Sequence, residues 1–269
     1  MNISIIILTR DEEKNIEFCL NSVSWSDDIV VLDSFSKDNT LKIARKYNTR
    51  IFQRKFDNYA RQRNFGIKNI EYKNDWLLMV DADEVVTHEL KNEMFDVLTT
   101  TDASNSLFYI RRKDYFWGRW IKHSSGYPTW FGRLIRIGHV IVTRSINEQY
   151  ETDGAIGFLN NHLFHYPFRK GLDYWIMKHN RYSTLESLIY KEEKINFLEM
   201  FACNPLKRRR AFKRFIYRLP ARPLVYFISI YFFRKGFLDG IAGFHFCILK
   251  TVYEYFICCK IKDKKMMKS

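Results

Sequence analysis

Residues 3–8 form a nearly unbroken apolar run, which predicts a strand buried on both faces. Ile16, Cys19, Leu20 and Val23 then recur at i, i+3, i+4 and i+7, the spacing of one helix face. Residues 29–33 predict a second strand. Ser36-Lys37-Asp38-Asn39-Thr40 follows as a set of capping residues for a helix that turns Leu41, Ala44 and Tyr47 inward. Residues 76–80 predict another strand, halted by Asp81-Ala82-Asp83-Glu84, and Leu90, Met94, Val97 and Leu98 mark the next helix. Strands alternating with amphipathic helices build a mainly parallel sheet covered on both faces, so the fold class is α/β and Rossmann-like. In open α/β sheets ligands collect outside the carboxyl ends of the strands. Thr9-Arg10-Asp11, Asp33-Ser34 and Asp81-Ala82-Asp83 are therefore expected to converge.

Beyond residue 105 the pattern changes. Residues 107–111 and 133–142 read as strands of a mixed region, with Trp117, Trp120 and Trp130 between them, and an acceptor-facing half is expected there. From Asn204 onward Pro205, Pro220 and Pro223 punctuate a C-terminal segment dense in Lys, Arg, Phe and Tyr. Lys207, Arg208, Arg209, Arg210, Lys213, Arg214, Arg218 and Arg222 interleave there with Phe212, Phe215, Ile216 and Tyr217, a combination suited to a helix lying on anionic lipid. Residues 224–233 and 241–259 are apolar stretches, the second broken by His245, Lys250 and Glu254. Neither reads as a membrane-spanning helix, which needs about 20 predominantly apolar residues.

Charge narrows the choice of partner. The chain of 269 residues carries a formal net charge of +14 and is 17% aromatic, which points to an anionic partner. The basic segment lacks the recognition elements of the usual nucleic-acid modules, so no nucleic acid is expected and an anionic membrane surface is. Five cysteines without a CxxC pair argue against a disulfide framework, and the N-terminus lacks the features of a signal peptide. A cytoplasmic protein, peripheral on the inner face of the cytoplasmic membrane, is the expectation.

Two carboxylates one residue apart on a strand-ending turn, Asp81 and Asp83, can share a divalent ion with the oxygens of a diphosphate. The same pair could equally be a solvated acidic turn capping the next helix. Asp33 could accept the imide hydrogen of a uracil ring, with Thr9 and its neighbours offering backbone groups to base or ribose; it could also simply hold its own turn. Arg61, Gln62, Arg63 and Asn64 lie where a guanidinium could brace a ribose or phosphate, or where a helix shows a basic face to water.

Taken together, Thr9-Arg10-Asp11-Glu12-Glu13, Asp33-Ser34-Phe35-Ser36-Lys37-Asp38-Asn39-Thr40, Ala60-Arg61-Gln62-Arg63-Asn64 and Asp81-Ala82-Asp83-Glu84 resemble the ordered motifs of family 2 glycosyltransferases. Arg133-Leu134, Asn147-Glu148, His165-Tyr166-Pro167-Phe168 and Lys178-His179-Asn180-Arg181-Tyr182-Ser183 extend the likeness to about residue 185, in the manner of the branch that builds lipopolysaccharide core. Asp11 stands where relatives usually carry Asn, and Asn147 where the subgroup usually has His; both departures blur the subgroup.

The resemblance implies a GT-A nucleotide-sugar-binding fold, with a nucleotide-sugar-binding half over 1–105, an acceptor-binding and catalytic half over 106–200, and a basic, aromatic, membrane-associating helical segment over 201–269. It implies an inverting displacement at the anomeric carbon and Mn²⁺ or Mg²⁺ on the pyrophosphate. The donor would be a UDP-hexose, perhaps UDP-glucose, bound by Thr9, Arg10, Asp11, Glu12, Asp33, Arg63, Asn64, Asp81, Ala82 and Asp83. The acceptor would be a lipopolysaccharide-core or polyprenyl-linked glycan. Asp83, Asp81 and His165 would hold the metal. Glu148 would act as general base, with Glu151 and Asp153 as rivals. Arg169, Lys178 and Arg181 would balance the charge of the leaving diphosphate, although cations scattered on a solvated helix look the same in sequence. A metal-dependent nucleotidyltransferase or phosphohydrolase would also gather strand-end carboxylates, but gives no reason for Glu148 or the tail. A noncatalytic glycan- or membrane-binding module would have no need of Asp81, Asp83 and Glu148 together, and donor turnover separates it from an enzyme.

Overall fold

The computed structural model describes residues 2–100, 104–143, 149–189 and 221–267. Glu148 and the basic run over 207–218 lie outside the described residues. The chain forms two compact units: residues 1–115 with 127–170, and residues 116–126 with 171–269. The stretch expected as one acceptor half, 106–200, is thus shared between the two.

The first unit is α/β. Its sheet runs in the order β3 (Thr49–Gln53), β2 (Ile29–Asp33), β1 (Ile3–Thr9), β4 (Trp76–Asp81), β8 (Thr129–Arg136), β6 (Asn105–Phe116), β11 (Ala155–His165), β5 (Glu84–Val86). β1 lies between β2 and β4, parallel to both, which is why its run is apolar at nearly every position: both of its faces are covered. Ile3, Ile5 and Ile7 pack on one side with the Ile16, Cys19, Leu20 and Val23 face of α1 (Ile16–Val23) and with Leu90, Met94 and Leu98 of α4 (His88–Thr100). Ile6 packs on the other side with Ala60 and Ile67 of α3 (Tyr59–Asn69). Gly66 allows that helix its close approach, because a Cβ there would run into Cδ1 of Ile6.

Register levels the strand ends. Thr9 is opposite Asp33 and Leu8 is opposite Asp81, so the carboxyl ends of β1, β2 and β4 open side by side. Further along the sheet, His165 is opposite Asp114 on β6 and Glu84 on β5. The helix expected after residue 36 is shorter than its periodicity implied: α2 spans Thr40–Ala44, and Tyr47 packs beyond its end. The single strand expected over 133–142 is two, β8 and β9 (Val140–Thr143), because Gly138 takes φ +89° and turns the chain between them. β9 pairs antiparallel with β10 (Gln149–Thr152), with Thr143 opposite Gln149.

The second unit is helical over its described residues: α5 (Leu172–Ile189), a helix over Arg222–Ile228 that runs into one π-helical turn (Ser229–Phe233), a short 3₁₀ segment (Gly236–Asp239) and a helix over Gly240–Met266. Two features of its sequence reading need correction. Arg222, counted among the lipid-facing cations, is 1% exposed and paired with Glu254, because a charge this deep is held only where an opposite charge meets it. The apolar stretch 241–259 is also longer than it looked: it lies inside one helical segment, Gly236–Met266, that is long and apolar enough by length and composition to cross a membrane. One side of that segment is nonetheless occupied by protein. Lys260 Nζ donates to Asn180 O and Ser183 Oγ of α5 at 2.6 and 2.8 Å, and Asp239 accepts from the backbone nitrogens of His123 and Ser124. The four described cysteines, Cys19, Cys247, Cys258 and Cys259, are free thiols.

His179 makes one acid-sensitive joint in this unit. Its ring stacks on Trp175 at 3.6 Å and shares a hydrogen bond with the Trp175 carbonyl at 2.9 Å. Burial, reinforced by the charge of Lys250, holds the imidazole down at about 3. Since the unfolded chain takes up this proton near 6.5, the contribution is complete above that pH and is lost progressively as the pH falls toward 3. Urea unfolding of wild type and His179→Gln at pH 7 and pH 5 should show the wild type losing about 2 kcal/mol relative to the variant on acidification. An equal loss in both proteins would show that the ring is not held neutral.

Candidate active site

The loop after β1 and the loop after β2 are laced together. The backbone nitrogens of Asp11, Glu12 and Glu13 donate to Ser36 Oγ, Thr40 Oγ1 and Asp38 Oδ2 at 2.8, 2.7 and 3.0 Å. In return, Lys37 N donates to Asp11 Oδ1 at 2.7 Å and Asn39 N to Glu13 Oε2 at 3.1 Å. The polar cluster 36–40, expected as a helix cap, thus mainly buttresses the neighbouring loop. Asp11 adopts φ +53°, which Asp tolerates better than most residues. Asp33 is fully buried and accepts from Thr9 Oγ1 (3.0 Å), Ser36 N (3.0 Å), Gln53 Nε2 (3.0 Å) and, closest of all, Ser36 Oγ. With four donors already in place, it fixes the floor of this corner and its own turn. Arg10 is half-exposed at the rim.

The second part of the site is a chain of alternating charges. Arg63 donates to Asp81 Oδ1 at 2.8 Å, and Arg133 bridges Asp81 Oδ2 at 2.6 Å and Glu84 Oε1 at 2.8 Å. Arg112 lies 3.5 Å from Glu84 and 3.0 Å from Asp114. Asp114 contacts His165 Nδ1 at 2.6 Å, and His165 Nε2 lies 3.3 Å from Asp83 Oδ2. Burial works against the charge of Asp81, but Arg133 and Arg63 outweigh it and hold the carboxyl well below the usual carboxylate range. Burial and Arg112 push the His165 ring down, yet Asp83 and the hydrogen bond to Asp114 prevail and raise it to about 9. Burial and the nearby Asp83 raise the Glu12 carboxyl above its ordinary value, in spite of Lys170 at 2.9 Å.

These contacts sort the expected site residues. Thr9, Asp11, Glu12, Asp33, Arg63, Asp81, Ala82, Asp83 and His165 all lie in the loop and strand-end cluster of the first unit. Ala82 is buried under the strand end, its nitrogen bonded to Leu8 O at 3.3 Å. Asn64 instead spends its amide on β9, donating to Val142 O at 2.8 Å and accepting from Val142 N at 2.9 Å. Arg169 lies over the rings of Phe18 (4.0 Å) and Tyr166 (4.3 Å), and its charge interacts with Asp83. Lys178 and Arg181 belong to α5 of the second unit, where Lys178 lies 5.9 Å over Tyr182. Of the rivals to Glu148, Glu151 is exposed, and Asp153 is paired with His139 at 3.0 Å. Glu84, Arg112, Asp114, Arg133 and Lys170 also belong to this cluster, with no role expected of them from sequence. Arg133 and Glu84 stood within the quoted motifs, and a charged residue inside an otherwise apolar strand was the available signal.

Among the described residues no group of three His, Cys, Asp or Glu side chains is placed to hold a metal ion. With both its oxygens on arginines, Asp81 acts as their counter-charge. Asp83 and His165 do fit a divalent ion whose remaining ligands are diphosphate oxygens: Asp114 fixes one nitrogen of the imidazole and aims the other at Asp83, the usual outer-shell support of a histidine ligand. Metal binding at Nε2 needs the neutral ring and so would release the proton that His165 carries in the free protein.

An open α/β sheet whose strand ends gather carboxylates, arginines and an oriented imidazole is the arrangement of an α/β enzyme with its site outside the carboxyl ends of the strands. The model of glycosyl transferase family 2 matches residues 4–159, more than half of the chain, and the chain belongs to that family. Its fold is accordingly the GT-A type, and its activity is glycosyl transfer, not nucleotidyl transfer or phosphate hydrolysis. It is 25% identical to the lipopolysaccharide core biosynthesis glycosyltransferase LpsC of Rhizobium meliloti, over 99% of this chain and 94% of that protein. It is 24% identical to an uncharacterized glycosyltransferase of Rickettsia conorii, over 98% of this chain and 91% of the other. Among solved structures, residues 1–349 of TarS from S. aureus share 17% identity with a TM-score of 0.45, covering 99% of this chain and 92% of that one.

Proposed function

We propose that this glycosyltransferase moves a hexose from a UDP-sugar, with UDP-glucose the first candidate, onto a lipopolysaccharide-core or other lipid-linked glycan at the cytosolic face of the membrane, with inversion at the anomeric carbon. The observation that carries the donor half of this reading is His165, fixed by Asp114 and aimed at Asp83 beside the level ends of β1, β2 and β4. The acceptor class rests on the likeness to LpsC.

In this reading the laced loops over 9–13 and 33–40 receive the nucleoside. Asp33 and Thr9 set the depth of its pocket. Asp83 and His165 would hold Mn²⁺ or Mg²⁺, which supplies positive charge to the diphosphate as the sugar–phosphate bond breaks. Arg169 adds a second cation near Asp83, and Lys178 and Arg181 are further candidates for countering the leaving diphosphate. Glu148 takes the proton of the acceptor hydroxyl.

Calorimetric titration with UDP, in Mn²⁺ and then in EDTA, with GDP and CMP as controls, tests the donor site. UDP-selective binding that needs the metal is expected, and Asp83→Ala should weaken the metal-dependent part by about 10–100-fold or more. UDP binding indifferent to both EDTA and Asp83→Ala would remove the metal from the mechanism. No binding of any nucleotide would overturn the proposed donor.

A further inference from the structure

The turn between the last two described helices is unusually apolar for a surface. Phe233 is 81% exposed, Ile241 75%, Phe232 56%, Leu238 50% and Phe237 46%. Single exposed apolar side chains need no explanation, but a contiguous group of large ones marks a contact surface. Rings join the core of the group, with Tyr231 5.1 Å from Phe232, 6.3 Å from Phe237 and 5.7 Å from Phe244, and Phe233, Leu238 and Ile241 lie within a few residues of these along the chain. From Phe244 the apolar surface runs on along the long helix through Ile248, Val252 and Tyr255, at helical spacing and all exposed.

Charge identifies the occupant. Arg234 and Lys235 stand exposed in the middle of the turn, and Lys262 and Lys265 are exposed at the far end of the helix. The acids of this segment are largely withdrawn: Asp239 is buried under four donors from His123 and Ser124, and Glu254 is tied to Arg222. Asp263 is the one exposed acid between residues 221 and 267. Exposed aromatic and aliphatic side chains with cations at the same level match the boundary of an anionic bilayer, where apolar groups enter the acyl region and ammonium and guanidinium groups meet lipid phosphates. The opposite side of the helix carries Ala242, Gly243, Phe246 and Cys247 buried against protein, so the segment meets lipid along one face only.

We infer that residues 231–255 form a lipid-inserting surface that docks the protein in the plane of an anionic membrane by apolar burial, with Arg234 and Lys235 at the phosphate level. The surface stands on its own residues and does not depend on the donor-site reading. It also differs from docking by the basic run over 207–218 alone, because apolar burial survives salt that screens charge.

The test is sedimentation of the full chain with phosphatidylglycerol-containing vesicles at 50 mM and about 500 mM salt, for wild type and for Phe233→Ser/Ile241→Ser, whose parent side chains face solvent. Wild type should retain part of its binding at high salt, and the double variant should bind at least about tenfold more weakly at both salts. UDP binding measured on the same preparations should be unchanged, which separates a failed surface from a failed fold or a failed donor site. Three results would each overturn the inference: equal sedimentation of variant and wild type; wild-type binding abolished entirely by salt; or ultracentrifugation showing a wild-type dimer that the double variant converts to monomer, which would make this surface an interface between copies.

Discussion

Replacing Glu148 with Gln is expected to leave UDP binding at wild-type strength and to slow sugar transfer by about 10²–10⁴-fold, the usual worth of a positioned proton acceptor. The amide keeps the shape of the carboxylate and loses its capacity to take a proton. The split between binding and turnover is what identifies a base, since a merely structural role would disturb both. The strand pair that leads to this residue is well anchored: Thr143 of β9 is opposite Gln149 of β10, and Asn64 clamps Val142 to α3 from both its amide atoms. Transfer by Glu148→Gln at the wild-type rate would remove the assignment and turn attention to Glu151, because Asp153 is already engaged by His139.

The largest loss of stability is expected at Arg133, which is 1% exposed and neutralises Asp81 and Glu84 together. Arg133→Met fills similar space without the charge and leaves the fully buried Glu84 with Arg112, at 3.5 Å, as its cation and with the hydrogen bond from Asp81 N at 3.0 Å. Breaking a buried pair in this way costs about 3–5 kcal/mol. Denaturant unfolding should show that loss, and adding Glu84→Gln should recover part of it by removing the stranded charge. A loss below about 1 kcal/mol would mean that water reaches Glu84 in the variant.

The elements that could be read directly were those whose local pattern and tertiary role agree. β1, β2 and β4 are apolar throughout because they are interior parallel strands, and α1 shows its four buried residues at helical spacing. β3 was not anticipated as an element, and α3 only as one of two alternatives for residues 61–64. β3 is an edge strand with no buried position, and the inward face of α3 includes Gln62 and Arg63, so apolar periodicity is faint in both. The same distinction governs the site. Asp83 and His165 were legible because their motifs were. Asp114, which completes the chain of charges, meets His165 only through the register of β6 and β11, and Glu84 meets Arg133 of β8 only across the folded sheet; neither is written in spacing along the chain.

The lacing of the loops over 9–13 and 33–40 has a bearing on how donor preference can change over time. Each rung joins a backbone nitrogen of one loop to a side chain of the other, and the rungs run in both directions. A substitution at a side chain that forms a rung loosens the backbone of the opposite loop as well, so the two segments inherit each other's constraints. With the donor site proposed above, the two loops form one cassette, and grafting both together from a relative is the practical route to altering donor preference.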